Sequence, residues 1–172
     1  MKIYVASLAD YNAGRLHGCW IDLEGSDAET IQEQIDAMLK QSREPIAEEW
    51  RIDDHEDVPK CVVASWSVAT IGEFAEVASD MDEREREAFG LFLDNEVARL
   101  RNVSDDAEDF RESYKGHHEN LRDYLIDDFY ECNTVPDHLT NYICTDSIVL
   151  EWGSDHRSEP ANGGGVHVFG PY

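Results

Sequence analysis

Glu119, Asp123, Asp127 and Glu131 recur at every fourth residue near the end of the stretch Ser104 to Glu131. Leu121, Leu125 and Phe129 run at the same spacing, two residues out of phase. In a helix a step of two residues turns about 200°, so the two lines lie nearly opposite each other. At about 1.5 Å rise per residue, the four carboxylates stand roughly 6 Å apart in a row. Such a row does not help the helix, because like charges at i,i+4 repel by a few tenths of a kcal/mol per pair. Two readings follow. The row is a solvated face of an acidic protein, or it is a linear array of negative charge that imitates the phosphates of a nucleic-acid strand.

Other groupings with chemical potential are weaker. His117-His118-Glu119 is a fragment of a metal motif, but HExxH is absent and adjacent histidines do not share a helix face, so a surface pair is expected. Asp105 to Lys115 is acidic enough for calcium, yet it lacks the D-x-D-x-D-G spacing and the glutamate at position 12. Gly163-Gly164-Gly165 would cradle a phosphate only if a helix followed; a strand pattern follows, so a turn is expected. No Ser-His or Cys-His nucleophile pattern is present. The reading is therefore against an enzyme, with no catalytic, cofactor or metal residues. A metal-dependent hydrolase built on one of the acidic clusters is kept as an alternative, as is a salt-adapted acidic globular protein.

Charge sets the class of partner. The 172 residues include 38 acids and 14 bases, for a net charge of −24. A surface of that sign repels DNA, RNA and anionic membranes and favours basic partners, cations or high salt. The acids are not confined to a tail. Residues 1–60 carry 14 acids and 6 bases, residues 80–131 carry 17 and 7, and residues 132–172 carry 5 and 1. They are interleaved with apolar residues, which make up 41% of the chain, so a folded body wears the charge. Duplex DNA with 24 phosphates spans about 41 Å of axis, or about 12 base pairs, and a dimer of this chain would match about 24. Cys19, Cys61, Cys132 and Cys144 are widely spaced with no CxxC, which reads as free thiols in a reducing compartment. With neither a signal peptide pattern nor an apolar run near 18 residues, a cytoplasmic location is expected.

The elements that must position these residues read as α+β, in three small consecutive domains with short antiparallel sheets and helices. Residues 1–60 form an α+β unit: a strand over 2–8, a turn at Asp10 to Gly14, a strand from Leu16 to Leu23, and a helix capped by Ser26 with Ile31, Ile35, Met38 and Leu39 inward. A third strand over 48–55 runs into an acidic loop, Asp53-Asp54-His55-Glu56-Asp57. Val58-Pro59 marks a boundary, and residues 61–103 read as mainly helical. There 62–68 suits either a strand or a helix, Thr70 caps a helix over 71–78, and another runs over 82–93, with 96–100 continuing or restarting it. In residues 104–172, Ser104 caps a helix over 105–114 and Lys115-Gly116 ends it. The acidic helix follows, then a short helix over 137–142, an ambiguous apolar segment over 146–152, a loop over 158–165 and a strand over 166–169.

Taken in order, several blocks resemble the ArdA antirestriction proteins carried by plasmids and conjugative elements. The first is Ile3-Tyr4-Val5-Ala6-Ser7-Leu8-Ala9-Asp10-Tyr11-Asn12-Ala13-Gly14 with Gly18-Cys19-Trp20-Ile21-Asp22. Phe110 to Gly116 leads into Leu121-Arg122-Asp123-Tyr124, followed by Val135-Pro136-Asp137-His138-Leu139 with Tyr142-Ile143, and then Gly165 to Phe169. Leu93, Asp94, Asn95, Glu96, Val97, Ala98, Arg99 and Leu100 look like the segment known in that family as the antirestriction motif. One departure is visible: Cys144-Thr145 stand where the family usually has an acidic-aromatic continuation. The resemblance implies an elongated protein that forms a homodimer through its C-terminal part. It implies mimicry of bent B-form DNA, occupation of the DNA-binding groove of type I restriction-modification enzymes, and no cofactor. The residues expected to form the mimic are Asp53, Asp54, Glu56, Asp57, Asp105, Asp106, Glu108, Asp109, Glu112, Glu119, Asp123, Asp127, Asp128 and Glu131.

Overall fold

The computed structural model describes residues 1–95 and 102–171. It is a mixed α+β protein with two small antiparallel sheets. The chain falls into two compact units, Met1–Glu108 and Asp109–Tyr172. Val58-Pro59 lies inside the first.

The first unit starts with β1 (Lys2–Ser7), whose Ile3 and Val5 are fully buried. β1 is the central strand, flanked by β2 (Gly18–Asp22) and β3 (Trp50–Glu56). Between β1 and β2 the chain forms a short helix, α1 (Leu8–Asn12), where a turn was expected. Ser7 caps it, its hydroxyl accepting from the Asp10 amide at 3.3 Å. Helix α2 (Ala28–Lys40) packs on β1 and β2 through the anticipated line Ile31, Ile35, Met38 and Leu39. Its cap is Asp27, which accepts from the Thr30 amide at 2.8 Å. The hydroxyl of Ser26, the expected cap, instead donates to the Asp22 carbonyl.

Three further helices complete this core: α3 (Lys60–Ala64), α4 (Val68–Ser79) and α5 (Glu83–Asn95). Ser67, not Thr70, caps α4, because the helix begins three residues earlier than the apolar pattern indicates. Asp82 and Glu85 hold each other's amides at the start of α5, at 2.9 and 3.1 Å. Phe74 of α4 and Phe89 of α5 stack with ring centroids 6.1 Å apart. α4 crosses α2 at Gly72, where a Cβ would meet the Ala28 backbone at 2.6 Å. Helix α6 (Val103–Ser113) is capped by Asn102 rather than Ser104; the Asn102 side chain accepts from the Ser104 and Asp105 amides.

The second unit holds the other sheet, in the order β4 (Tyr114–His118), β6 (Val166–Phe169), β5 (Arg157–Pro160). β5 lies in the expected loop over 158–165. Its Arg-Ser-Glu-Pro sequence has no strand-forming periodicity of its own, and pairing with β6 makes it a strand. The tight return between them uses Gly163, Gly164 and Gly165, all with positive φ. Helix α7 (Leu121–Cys132) packs on β4 and on α8 (Thr145–Trp152), the segment left ambiguous by sequence. Leu125 is fully buried, and Phe129 meets Trp152 edge-on at 5.4 Å. Phe110, Tyr114 and Phe169 form the aromatic part of the core, with centroids 4.9 to 6.4 Å apart.

One carboxylate belongs to the interior. Asp10 is 2% exposed. The Ser42 hydroxyl donates to one oxygen and Arg15 Nε lies 3.4 Å from the other. The Ser42 bond first, then Ser7 and Arg15, holds the Asp10 carboxyl below the ordinary 3.8 against the opposing effect of burial. A lowered folded-state value stabilises the fold above pH 3.8, and that contribution is lost as pH falls through the lower folded value. Asp10→Asn is therefore expected to lower the melting temperature at pH 7, with the gap to wild type closing in acid. A gap independent of pH would contradict this. Gly72→Ala is expected to cost about 1–3 kcal/mol in urea unfolding, because the contact at Ala28 is backbone and cannot swing away.

Candidate functional site

The expected acidic residues fall into three groups. The first lies on β3, not in a loop. β3 is an edge strand, and the register along β1 shifts so that Tyr4 pairs with Asp54 and Val5 with Ile52. Asp53 is the extra residue of a β-bulge. A bulge interrupts strict alternation, and here it leaves the consecutive residues Asp53 and Asp54 both exposed. Glu56 and Asp57 are exposed as well, and Asp57 leaves the strand with φ 55°. Two members carry local bases: Lys2 reaches Glu56 at 3.1 Å, and Arg51 pairs with Asp53. Charged side chains on an edge strand also discourage pairing with another chain's backbone.

The second group lies on α6. Asp105 and Glu108 are exposed in the first unit. In the second unit Glu112 is exposed and Asp109 half-buried. Asp106 is only 7% exposed, so its carboxylate belongs to the interior and not to the outer surface. Acid spacing alone could not reveal this, because Asp106 shares its helix face with Val103, Ala107 and Phe110, all buried.

The third group is the row on α7. Asn120 caps the helix, accepting from the Asp123 amide at 2.9 Å while donating to the Asp123 carboxylate at 2.7 Å. The helix begins at Leu121, so Glu119 is exposed ahead of it and outside the row. Lys115, Gly116, His117 and His118 belong to β4, where a helix end followed directly by the acidic helix was expected. Asp123, Asp127 and Glu131 remain as an exposed i,i+4,i+8 line opposite Leu125. Asp128 is half-buried. The local charge also bears on Tyr124, whose hydroxyl is pushed up by burial first and then by Asp128, Cys132 and Glu131.

The antirestriction-like segment divides. Leu93 lies in the core at 4% exposure. Asp94 accepts from the Lys60 and Cys61 amides at 3.3 and 3.0 Å. It thereby caps α3, whose own N-cap residue, Pro59, has no side-chain cap bond. Asn95 is exposed, and Glu96, Val97, Ala98, Arg99 and Leu100 lie outside the described residues.

The histidines are committed locally. His117 Nε2 donates to the Gly164 carbonyl at 2.8 Å and His118 Nε2 to the Lys115 carbonyl at 2.9 Å. Both are half-buried, not a loose surface pair. His167 is buried, with Nδ1 at 3.0 Å from the Tyr114 hydroxyl. Among the described residues no group of three or more His, Cys, Asp or Glu is placed to hold a metal ion. No helix among them is long and apolar enough to cross a membrane. The four cysteines are free thiols.

Residues 3–166 match the model of a family described as antirestriction protein (ArdA). This is a class of proteins that oppose restriction enzymes. The chain belongs to the ArdA antirestriction protein family. No curated protein matches it.

Sequence reasoning did not select the exposed apolar residues Trp20, Leu139, Tyr142 and Leu150, the last two at 85% and 82% exposure. Strand alternation already sets Trp20 opposite Ile21, but in the helical segments periodicity assigns apolar residues inward, and tertiary packing decides which of them stay exposed.

Two outcomes follow from the capping of α3. Asp94→Ala is expected to cost about 1 kcal/mol of stability, read by urea unfolding. Burial first, then Asp94, pushes the Cys61 thiol up to about 12. Cys144 is exposed and is shifted down chiefly by its hydrogen bond with Ser147. Timed alkylation at pH 7.5 with mass mapping should label Cys144 before Cys61. Equal rates would contradict the assigned environments.

Proposed function

We propose that this antirestriction protein acts as a decoy for DNA. Its carboxylates take the place of phosphates in the DNA-binding groove of a type I restriction-modification enzyme, formed by the methyltransferase core with its specificity subunit. Bound there, the chain blocks both restriction and modification, without catalysis and without a cofactor. The observation that carries this reading is the segregation of exposed carboxylates on ordered elements. Asp53, Asp54 and Glu56 stand on a bulged edge strand, and Asp123, Asp127 and Glu131 on the outer line of α7. Both sets are held by the apolar residues behind them. Within each element the charges keep their spacing, so lysines and arginines that receive phosphates meet carboxylates in fixed local positions at little cost in ordering entropy.

Two copies would double the track. The 3₁₀ turn Asp137–Tyr142 buries no residue, and it presents Leu139 and Tyr142 to solvent, while Leu150 projects from α8. Exposed apolar groups of this size in the second unit support a homodimer formed there.

Competition is the direct test. The purified protein is expected to displace labelled duplex DNA from a type I methyltransferase at low salt; absence of displacement would remove the reading. Single amide substitutions such as Asp123→Asn are expected to change inhibition by no more than about fivefold, since exposed charges each contribute roughly 0–1 kcal/mol. Asp123→Asn, Asp127→Asn and Glu131→Gln combined should weaken it multiplicatively. A single carboxylate whose loss abolished inhibition, with fold and mass unchanged, would contradict a distributed mimic.

A further inference from the structure

One face of the β2-β1-β3 sheet packs against α2 through Ile3, Val5 and Ile21, all fully buried. The strand register places Lys2, Tyr4, Trp20, Asp22, Asp54 and Glu56 on the opposite face: Tyr4 lies between Trp20 and Asp54, and Lys2 between Asp22 and Glu56. Trp20, Asp22, Asp54 and Glu56 are exposed. The aromatic pair on this face is held in place. A Cβ on Gly18 would meet Tyr4 Cζ and Oη at 2.9 Å, so the glycine gives the Tyr4 ring room to lie across β2. Trp20 then stands edge-on to Tyr4 with centroids 5.4 Å apart.

The face already receives a cation. Lys2 Nζ sits 4.8 Å from the Trp20 ring centre while pairing with Glu56. An exposed indole carrying a cation, with Asp22 next along its own strand face and Asp54 beyond Tyr4 on the far strand, has the electrostatics of a site for a second positive group. A planar guanidinium fits it better than an ammonium, because it stacks on the ring and still directs its N–H donors sideways to a carboxylate.

We infer that this face is an arginine-receiving platform. A guanidinium from the restriction-modification enzyme stacks on the Tyr4–Trp20 pair, and Asp22 and Asp54 flank it as acceptors. The inference rests on the decoy reading and adds to it a contact that no phosphate provides. Carboxylates substitute for charge alone; the aromatic pair adds attraction that salt screens less.

The test compares Trp20→Ala and Trp20→Phe with the wild-type chain for binding to a purified type I methyltransferase across a salt series. Circular dichroism and solution mass serve as controls. Trp20→Ala is expected to weaken binding on the order of tenfold. The slope of log Kd against log salt should stay unchanged, because no charge is lost. Trp20→Phe should recover most of the affinity, because a ring remains. Wild-type binding beside an unaffected Trp20→Ala overturns this inference alone. A wild-type chain that does not bind overturns the decoy reading and this inference with it. A change in solution mass in Trp20→Ala would assign the face to a second copy and overturn it too.

Discussion

Repulsion among 38 carboxylates opposes every compact state of this chain, and burial of apolar surface must outweigh it. That balance dictates where each residue type can sit. Carboxylates are tolerated where they face water, and the opposite side of the same element must be apolar enough to hold it down. On α7 the two demands are met two residues apart, with Leu125 inward and Asp123 and Asp127 outward. On β3 they are met across the sheet, with Asp54 and Glu56 on one face and the core residues Ile3 and Val5 of neighbouring β1 buried on the other. The apolar side of each element is therefore what gives the charge a fixed address.

The bases relieve part of the repulsion without removing it. Lys2, Arg15, Arg51, Arg86 and Arg122 each pair with a nearby carboxylate. Most of these pairs are at the surface, where each contributes little to stability. Their larger effect is on geometry, because they hold long side chains near acids that would otherwise splay apart. Some acids are absorbed by the fold itself. Asp27 and Asp94 hold helix starts, Asp10 accepts from the half-buried Ser42 hydroxyl, and Asp106 is interior. Counting charge therefore overstates what the surface can offer a partner, and the exposed sets on β3, α6 and α7 are the ones that face outward.

Much of the fold was legible because period and turn chemistry are local. The inward line of α2, the strands β1 and β6 and the α7 amphipathicity all follow from spacing. What was not legible depends on tertiary partners. β5 is a strand because β6 is beside it, and β4 because Gly116 and the histidines pair with β6 rather than extend α6. Caps are displaced by one to three residues at α2, α4 and α6, where Asp27, Ser67 and Asn102 compete successfully with neighbours of similar chemistry. Placing Asp53 and Asp54 in a loop missed the bulge, since an extra residue in a ladder leaves no mark in composition. The family blocks covered nearly the whole chain, which is why the class was readable while the surface role of individual acids, Asp106 above all, was not.

In the proposed decoy, ordered carboxylates stand in for phosphates, and the salt dependence of binding tests this most directly. Titration of a purified type I methyltransferase with the wild-type chain and, separately, with duplex DNA should give affinities that both fall steeply with rising salt, with comparable slopes of log K against log salt. An affinity for the chain that holds nearly constant across the range where DNA binding collapses would contradict the account.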